Sequence, residues 1–264
     1  LNRAMRRSAV CIRSLLDIAG AIANGQAVTG RLSSGMIKTN IEALLIGKPV
    51  SFRGEGEDSS IGSRLSVDHP VYLTFTGFEG DRVGDPTVHG GEDKAVHFYP
   101  GEHYPLWEAD FAKAGREPHP HLGRLGGFGE NISALEMTED RVQIGDRFRI
   151  GEALVEISQG RQPCWKLDHH FGMKGIMAAV VQTGRSGYYF RVMEVGHIKP
   201  DDSIEQVERA RHGWTVERAF QLLIGGMHRM DGANTALREL AEMETLALHW
   251  RWRARQLLES QGEA

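Results

Sequence analysis

The chain lacks a long uninterrupted apolar run and has almost no cysteine. A membrane-crossing helix needs about 20 consecutive apolar residues. The nearest candidate, Ala9 to Ala23, is broken by Arg13 and Asp17. A multi-pass membrane protein is excluded and no membrane partner is expected. Two cysteines, Cys11 and Cys164, in 264 residues rule out a disulfide scaffold. They point to a reducing, cytoplasmic location, with stability supplied by packing. A surplus of positive charge is also missing: 31 Lys and Arg face 35 Asp and Glu, a net of −4. That argues against nucleic-acid binding driven by bulk charge, and no nucleic-acid partner is expected. No fixed-period repeat, Walker loop or dinucleotide fingerprint occurs. Gly126-Gly-Phe-Gly lacks both the spacing and the lysine.

The chain does have 32 glycines, which suit a short-strand β architecture with many turns and close backbone approaches. Its charge is uneven. Residues 1–36 hold five arginines and one acid, a net of +4, which leaves −8 on the rest. This opening is Arg-rich and acid-poor, the composition of a targeting segment. It is read here instead as a start-site extension outside the fold, because Met36 directly precedes the first strand-like run.

Strand signals, broken by glycine, cover Ile46–Phe52, Val71–Phe75, Lys94–Tyr99, Val142–Ile150, Ala153–Ser158 and Gly187–Val195. Gly151-Glu152 suits a tight hairpin. Tyr104, Trp107, Phe111 and Ala114 recur at helical spacing, with Gly115 as a stop. Beyond Arg211 the pattern turns helical. Thr215 caps a helix bearing Val216, Ala219, Phe220 and Leu223; Leu237 and Leu240 mark a second; Leu246, Trp250, Ala254 and Leu257 mark a third. The expected architecture is mostly β (α+β): a body over 37–211, then a three-helix unit over 212–264. Helix alone is a marginal fold at that size, so the unit should pack on the body or on a second subunit, which makes a homodimer possible.

Four glycine-flanked polar segments follow apolar runs: Glu79 to Asp85, Val88 to Gly91, Gly126 to Asn131 and Gln159 to Cys164. Any one alone reads as a turn. Four together, each with a different reactive or anion-binding type, point to a shared site. Cys164 stands out. Pro163 bars a helix through the preceding position, which puts the thiol at a strand-to-helix corner with Arg161 and Lys166 nearby. A thiolate there is a nucleophile and a soft-metal ligand; a buried core cysteine is the other reading, and local sequence leaves both open. His119-Pro-His121 and His169-His170 lack closed-zinc spacing and read as surface residues. His89, directly before two glycines, is better placed. Glu139 and Asp140 read as turn residues. Trp250-Arg-Trp-Arg reads as core plus solvated face.

The segments Gly80-Asp81, His89-Gly-Gly, Lys94-Ala-Val, Gly127-Phe-Gly-Glu-Asn131, Ile144-Gly-Asp-Arg-Phe148, Ser158 to Cys164 and Gly184-Arg-Ser-Gly-Tyr188 resemble, in order as well as in content, those of MOSC domains. The helical tail points to the YiiM-like branch, the hydroxylaminopurine resistance proteins. The resemblance spans about 37–262 and departs at Gly160, where proline is expected. It implies a β-barrel body holding the molybdenum cofactor (molybdopterin), with Cys164 as thiolate ligand to the metal. His89, Glu130 and Asn131 would line the pterin or the open metal position. Lys94, Arg161 and Arg191 would meet the phosphate; Arg185 and Tyr188 are further cofactor contacts. The implied reaction removes oxygen from an N-hydroxylated small-molecule substrate, with electrons from a separate reductase. The alternatives are a sulfur carrier with a Cys164 persulfide and a non-catalytic cofactor-binding module.

Overall fold

The computed structural model describes residues 35–52, 58–117 and 119–261. Cys11 and nearly all of the N-terminal extension lie outside them. The strands are β1 (Lys38–Ile46), β2 (Val50–Ser51), β3 (Asp58–Ser59), β4 (Leu65–Ser66), β5 (Val71–Thr74), β6 (Gly77–Phe78), β7 (Val96–Pro100), β8 (Ile132–Ala134), β9 (Arg147–Ile150), β10 (Ala153–Gly160), β11 (Tyr188–Glu194), β12 (Gly196–Ile198) and β13 (Ser203–Glu208). The helices are α1 (Pro86–His89), α2 (His103–Lys113), α3 (Lys166–His170), α4 (Ile176–Thr183), α5 (Val216–Leu223), α6 (Ala233–Glu242) and α7 (Leu248–Ser260). No helix among the described residues is long and apolar enough to cross a membrane.

Seven strands close a barrel in the order β1-β8-β7-β11-β10-β9-β13, and β13 pairs back to β1. Only β7 and β8 run parallel in it; the other neighbours are antiparallel. Alternation sets the faces. Tyr188, Phe190 and Val192 of β11 point into the core, as do Phe148 and Ile150 of β9 and Ala153, Val155 and Ile157 of β10. Gly151 turns the β9–β10 hairpin at φ +54°. The strand expected over Val142–Ile150 is shorter. Asp146 Oδ2 accepts from Gln143 N at 2.9 Å, and Gly145 sits at φ +83°, so 142–146 folds as a turn and β9 starts at Arg147. The first strand, Lys38–Ile46, starts just beyond Met36 as expected, with Ile41, Ala43 and Leu45 buried along its alternation, whereas the signal over Ile46–Phe52 yields only the end of β1 and the two-residue β2.

Thr215 caps α5, accepting from Arg218 N at 3.1 Å. Its buried face joins α6, α7 and the barrel interior in one apolar cluster. The helices therefore pack on the body. Trp250 of α7 lies under Phe220 and over the end of β10, where a Cβ at Gly160 would come within 2.8 Å of the indole. That gives a packing reason for glycine where proline was expected. Trp250→Ala is expected to lower the unfolding free energy by about 3–5 kcal/mol, the usual cost of deleting a buried Trp side chain. A urea midpoint would read it. A second cluster, including Tyr99, Tyr104, Trp107, Phe128, Leu167 and Phe171, lies beneath α2, α3 and α4.

Candidate functional site

A cavity of about 430 Å³ opens on the outer face of the barrel wall, within the size range of small-molecule sites. Its floor comes from strand register. Tyr189 of β11 pairs with His97 of β7, and both side chains point away from the core, ring centroids 5.2 Å apart. Four stretches wall it: residues within Ser59 to Arg64, within Thr76 to Ala95 and within Phe128 to Asn131, and the segment leaving β10.

That last segment holds Cys164. β10 ends at Gly160, and Arg161 N donates to Gly187 O at 2.9 Å. Pro163 prevents further pairing, and Cys164 O accepts from Leu167 N at 3.1 Å to start α3. The thiol is half-buried and lines the cavity at the expected strand-to-helix corner.

The lining is cationic. Arg64, Arg82, Lys94, Arg161 and Lys166 face it, against a single carboxylate, Asp81. Asp81 is held within the wall. Arg64 Nη2 reaches its Oδ2 at 2.6 Å, Gly47 N donates to Oδ1 at 2.9 Å, and Asn131 Nδ2 donates to Oδ2 at 3.0 Å. Arg161 is buried, and its Nη1 has no hydrogen-bond partner. A buried, unpaired guanidinium nitrogen is costly unless a ligand oxygen meets it.

His89 ends α1, which Asp85 caps by accepting from Thr87 N at 3.0 Å. Burial, then Lys166, Arg161 and Lys94, push its pKa below the ordinary range, so it is neutral at pH 7. Burial likewise lowers Lys94, opposed by Asp93; its Nζ donates to Val88 O at 2.5 Å. Burial, then Arg161, holds His97 well below its usual value.

Of the residues singled out in the sequence, Cys164, His89, Lys94, Arg161 and Asn131 meet at this cavity. Four do not line it. Glu130 lies behind the wall, fully buried, accepting from Tyr104 Oη, Gly126 N and Phe128 N; it shapes the glycine loop. Arg191 points outward from β11 to Asp93 (2.7 Å) and Glu156 (3.2 Å). Arg185 pairs with Asp110 at 2.8 Å over the Trp107 ring. Tyr188 points into the core and donates to Met137 O at 3.0 Å. Arg64, His97 and Tyr189 were not anticipated. The alternation of Val96-His97-Phe98 and Tyr188-Tyr189-Phe190 carries a signal for the last two.

The loops are joined behind the cavity by histidines read as surface residues. His121 stacks on His170 with centroids 3.9 Å apart, and His119 lies 4.8 Å from His121. Burial, then His121 and His119, push His170 down to about 3. An unfolded imidazole titrates near about 6.5. Between those values the unfolded chain binds the extra proton. This contribution is therefore complete above about pH 6.5 and is lost as pH falls towards 3. His170→Phe should reduce the fall in urea midpoint between about pH 7 and pH 4.5; a fall unchanged from wild type would count against the stack as its source.

The MOSC domain family matches residues 85–205, which include His89, Arg161 and Cys164. Protein YflK of Bacillus subtilis is 37% identical over 214 residues, 80% of this chain and 91% of YflK. A protein named Reductase from Gibberella moniliformis is 36% identical over 162 residues, 61% of this chain but 28% of that protein. The crystal structure of YiiM from Geobacillus stearothermophilus aligns with a TM-score of 0.67 at 31% identity, covering 83% of this chain and 99% of that one. With a relative matched along nearly its whole length and a family match that takes in His89, Arg161 and Cys164 of the cavity, the chain belongs to the MOSC domain family.

Proposed function

We propose that the protein is a cytoplasmic, molybdenum-cofactor-dependent oxidoreductase that reduces N-hydroxylated bases and related compounds: R–NHOH + 2 e⁻ + 2 H⁺ → R–NH₂ + H₂O. The carrying observation is a half-buried thiol, Cys164, on a cavity lined by five basic side chains and one carboxylate. The likeness to a protein named Reductase supports the reaction class.

The residues fit the cofactor. No group of three or more His, Cys, Asp or Glu side chains among the described residues is arranged to hold a metal ion. A metal at Cys164 would thus rely on ligands from its own organic group, as a dithiolene provides. Arg161, with its unpaired Nη1, and the ammonium groups of Lys94 and Lys166 would hold the pterin phosphate. Held there by Cys164, Arg161, Lys94 and Lys166, the cofactor would supply two-electron, oxygen-accepting redox chemistry. The chain does the rest. The glycine loops and Phe128 shield the bound group from bulk water, and neutral His89 takes up a proton on its imidazole and passes it towards the departing oxygen. The electrons come from a separate reductase.

The test is purification from cofactor-competent cells, with molybdenum and pterin content measured alongside reduction of an N-hydroxylated purine by dithionite-reduced methyl viologen. Stoichiometric metal with turnover is the expected result; metal at trace level overturns the proposal.

A further inference from the structure

Cys164 is the one cysteine beyond residue 36, half-buried and facing the cavity. Around it the charge of the protein is unbalanced. Five basic side chains line the cavity against one carboxylate, Asp81, which Arg64 already takes at 2.6 Å. Arg161 is 7% exposed, and its Nη1 meets no acceptor. Lys94 and Lys166 each place a donor on a backbone carbonyl, Val88 O and Asp58 O, and neither carbonyl cancels the ammonium charge. A buried donor without an acceptor and a surplus of cations both call for a carboxylate or phosphate oxygen. The cavity, about 430 Å³, takes a tripeptide-sized group and excludes a folded protein. A small reagent that carries carboxylates as well as a reactive sulfur therefore meets its anion partners and the thiol in one place.

We propose that, in the chain without cofactor, Cys164 is a modification site for small carboxylate-bearing disulfides such as glutathione disulfide, and that the resulting mixed disulfide blocks cofactor loading. The blocking role rests on the cofactor reading above; the thiol chemistry stands apart from it. The Cys164 thiolate attacks one sulfur of the disulfide. That sulfur–sulfur bond breaks, a new one forms at Cys164 Sγ, and the other half leaves as a thiolate, which takes up the proton given up by Cys164. The protein thiol is oxidised, the leaving half is reduced, and no further electron donor or acceptor is needed. An excess of free thiol runs the exchange backwards, so the cap is reversible. The cationic lining favours a disulfide that carries negative charge, because it concentrates that reagent at the thiol. The cap and the cofactor would use the same sulfur and the same cations, so one excludes the other.

The test uses the full chain with Cys11→Ser, purified from cells that make no molybdenum cofactor, so that Cys164 is its only thiol. Intact mass follows adduct formation with glutathione disulfide and, separately, with cystamine, a cationic disulfide. Cystamine is the smaller reagent, so bulk works against the expected order. Glutathione disulfide should react faster by on the order of tenfold at low ionic strength, with the ratio falling towards one in high salt. Arg161→Met should shrink the ratio, and its thermal midpoint reports whether it folds; the salt series on the unsubstituted cavity decides the matter without it. Equal rates at low salt, a ratio unmoved by salt, or no adduct at all overturns the proposal. Molybdenum content is then measured after capped and uncapped chains are offered cofactor released from another molybdoenzyme. Uptake by the uncapped chain only, recovered in the capped chain with dithiothreitol, is the expected result, and equal uptake by both overturns the blocking role. No uptake by either is a different result: it removes the cofactor reading and the blocking role with it, while the rates still decide the thiol chemistry.

Discussion

Cys164→Ser is expected to purify with molybdenum at trace level and to lose turnover by more than the roughly 10–100-fold that removing an outer-shell partner costs a metal site. Its thermal midpoint, measured without cofactor, should stay near wild type. The half-buried side chain lies at a corner shaped by Pro163 and by the Cys164 O contact to Leu167 N, and the substitution leaves both in place. Arg161→Met is a useful companion. It removes the cation whose Nη1 has no protein partner, so cofactor retention should suffer while the thiol remains. Cys164→Ser with full metal content would end the ligand assignment.

Gly187→Ala is expected to destabilise the fold by about 2–5 kcal/mol, combining about 1–2 kcal/mol for left-handed backbone with about 1–3 kcal/mol for overpacking. Gly187 has φ +70°, and a Cβ there would lie 2.5 Å from Phe98 O and 2.9 Å from both His97 Nε2 and Tyr99 Cδ2. All three contacts are backbone or buried ring and cannot swing aside. The position also links a buried carboxylate to the site: Glu139 Oε1 accepts from Gly187 N at 2.7 Å, and Gly187 O accepts from Arg161 N at 2.9 Å. Cofactor retention should therefore fall with stability. Gly115→Ala is the control, at φ +68° with open space around it, and should show the backbone cost alone. Equal urea midpoints for the two variants would refute the crowding argument.

The site was legible in the sequence where chemistry and local backbone agree. Pro163 before Cys164 predicts a corner, and a corner is there. The glycine segments did converge, because each ends at the same side of the barrel. Pairing partners were harder to foresee. Arg191 looks like a free cation until β10 and the turn carrying Asp93 close on it, and the charge is then balanced by Asp93 and Glu156. Tyr188 and Tyr189 are indistinguishable by type; register alone puts one in the core and the other in the cavity. Glu139 has turn-like neighbours, yet it is buried against His103 Nε2 at 2.7 Å and Gly187 N, partners distant in sequence. The three C-terminal helices were visible from their period, since amphipathic spacing is local. The three-residue β8 and the polar β13, whose buried alternate positions are Ile204 and Gln206, carry no such local signal and depend on their neighbours in the barrel.

The barrel closes between its first and last strands, with Lys38 of β1 opposite Glu205 of β13. Non-local pairing of that kind slows folding, because chain entropy must be lost before contacts form. On the ribosome β1 waits until nearly the whole body has been made. The cavity floor belongs to β7 and β11, in the middle of the closed order, so its two strands are made before the pair that closes the barrel. The proposed cofactor would then enter a closed barrel rather than a growing chain.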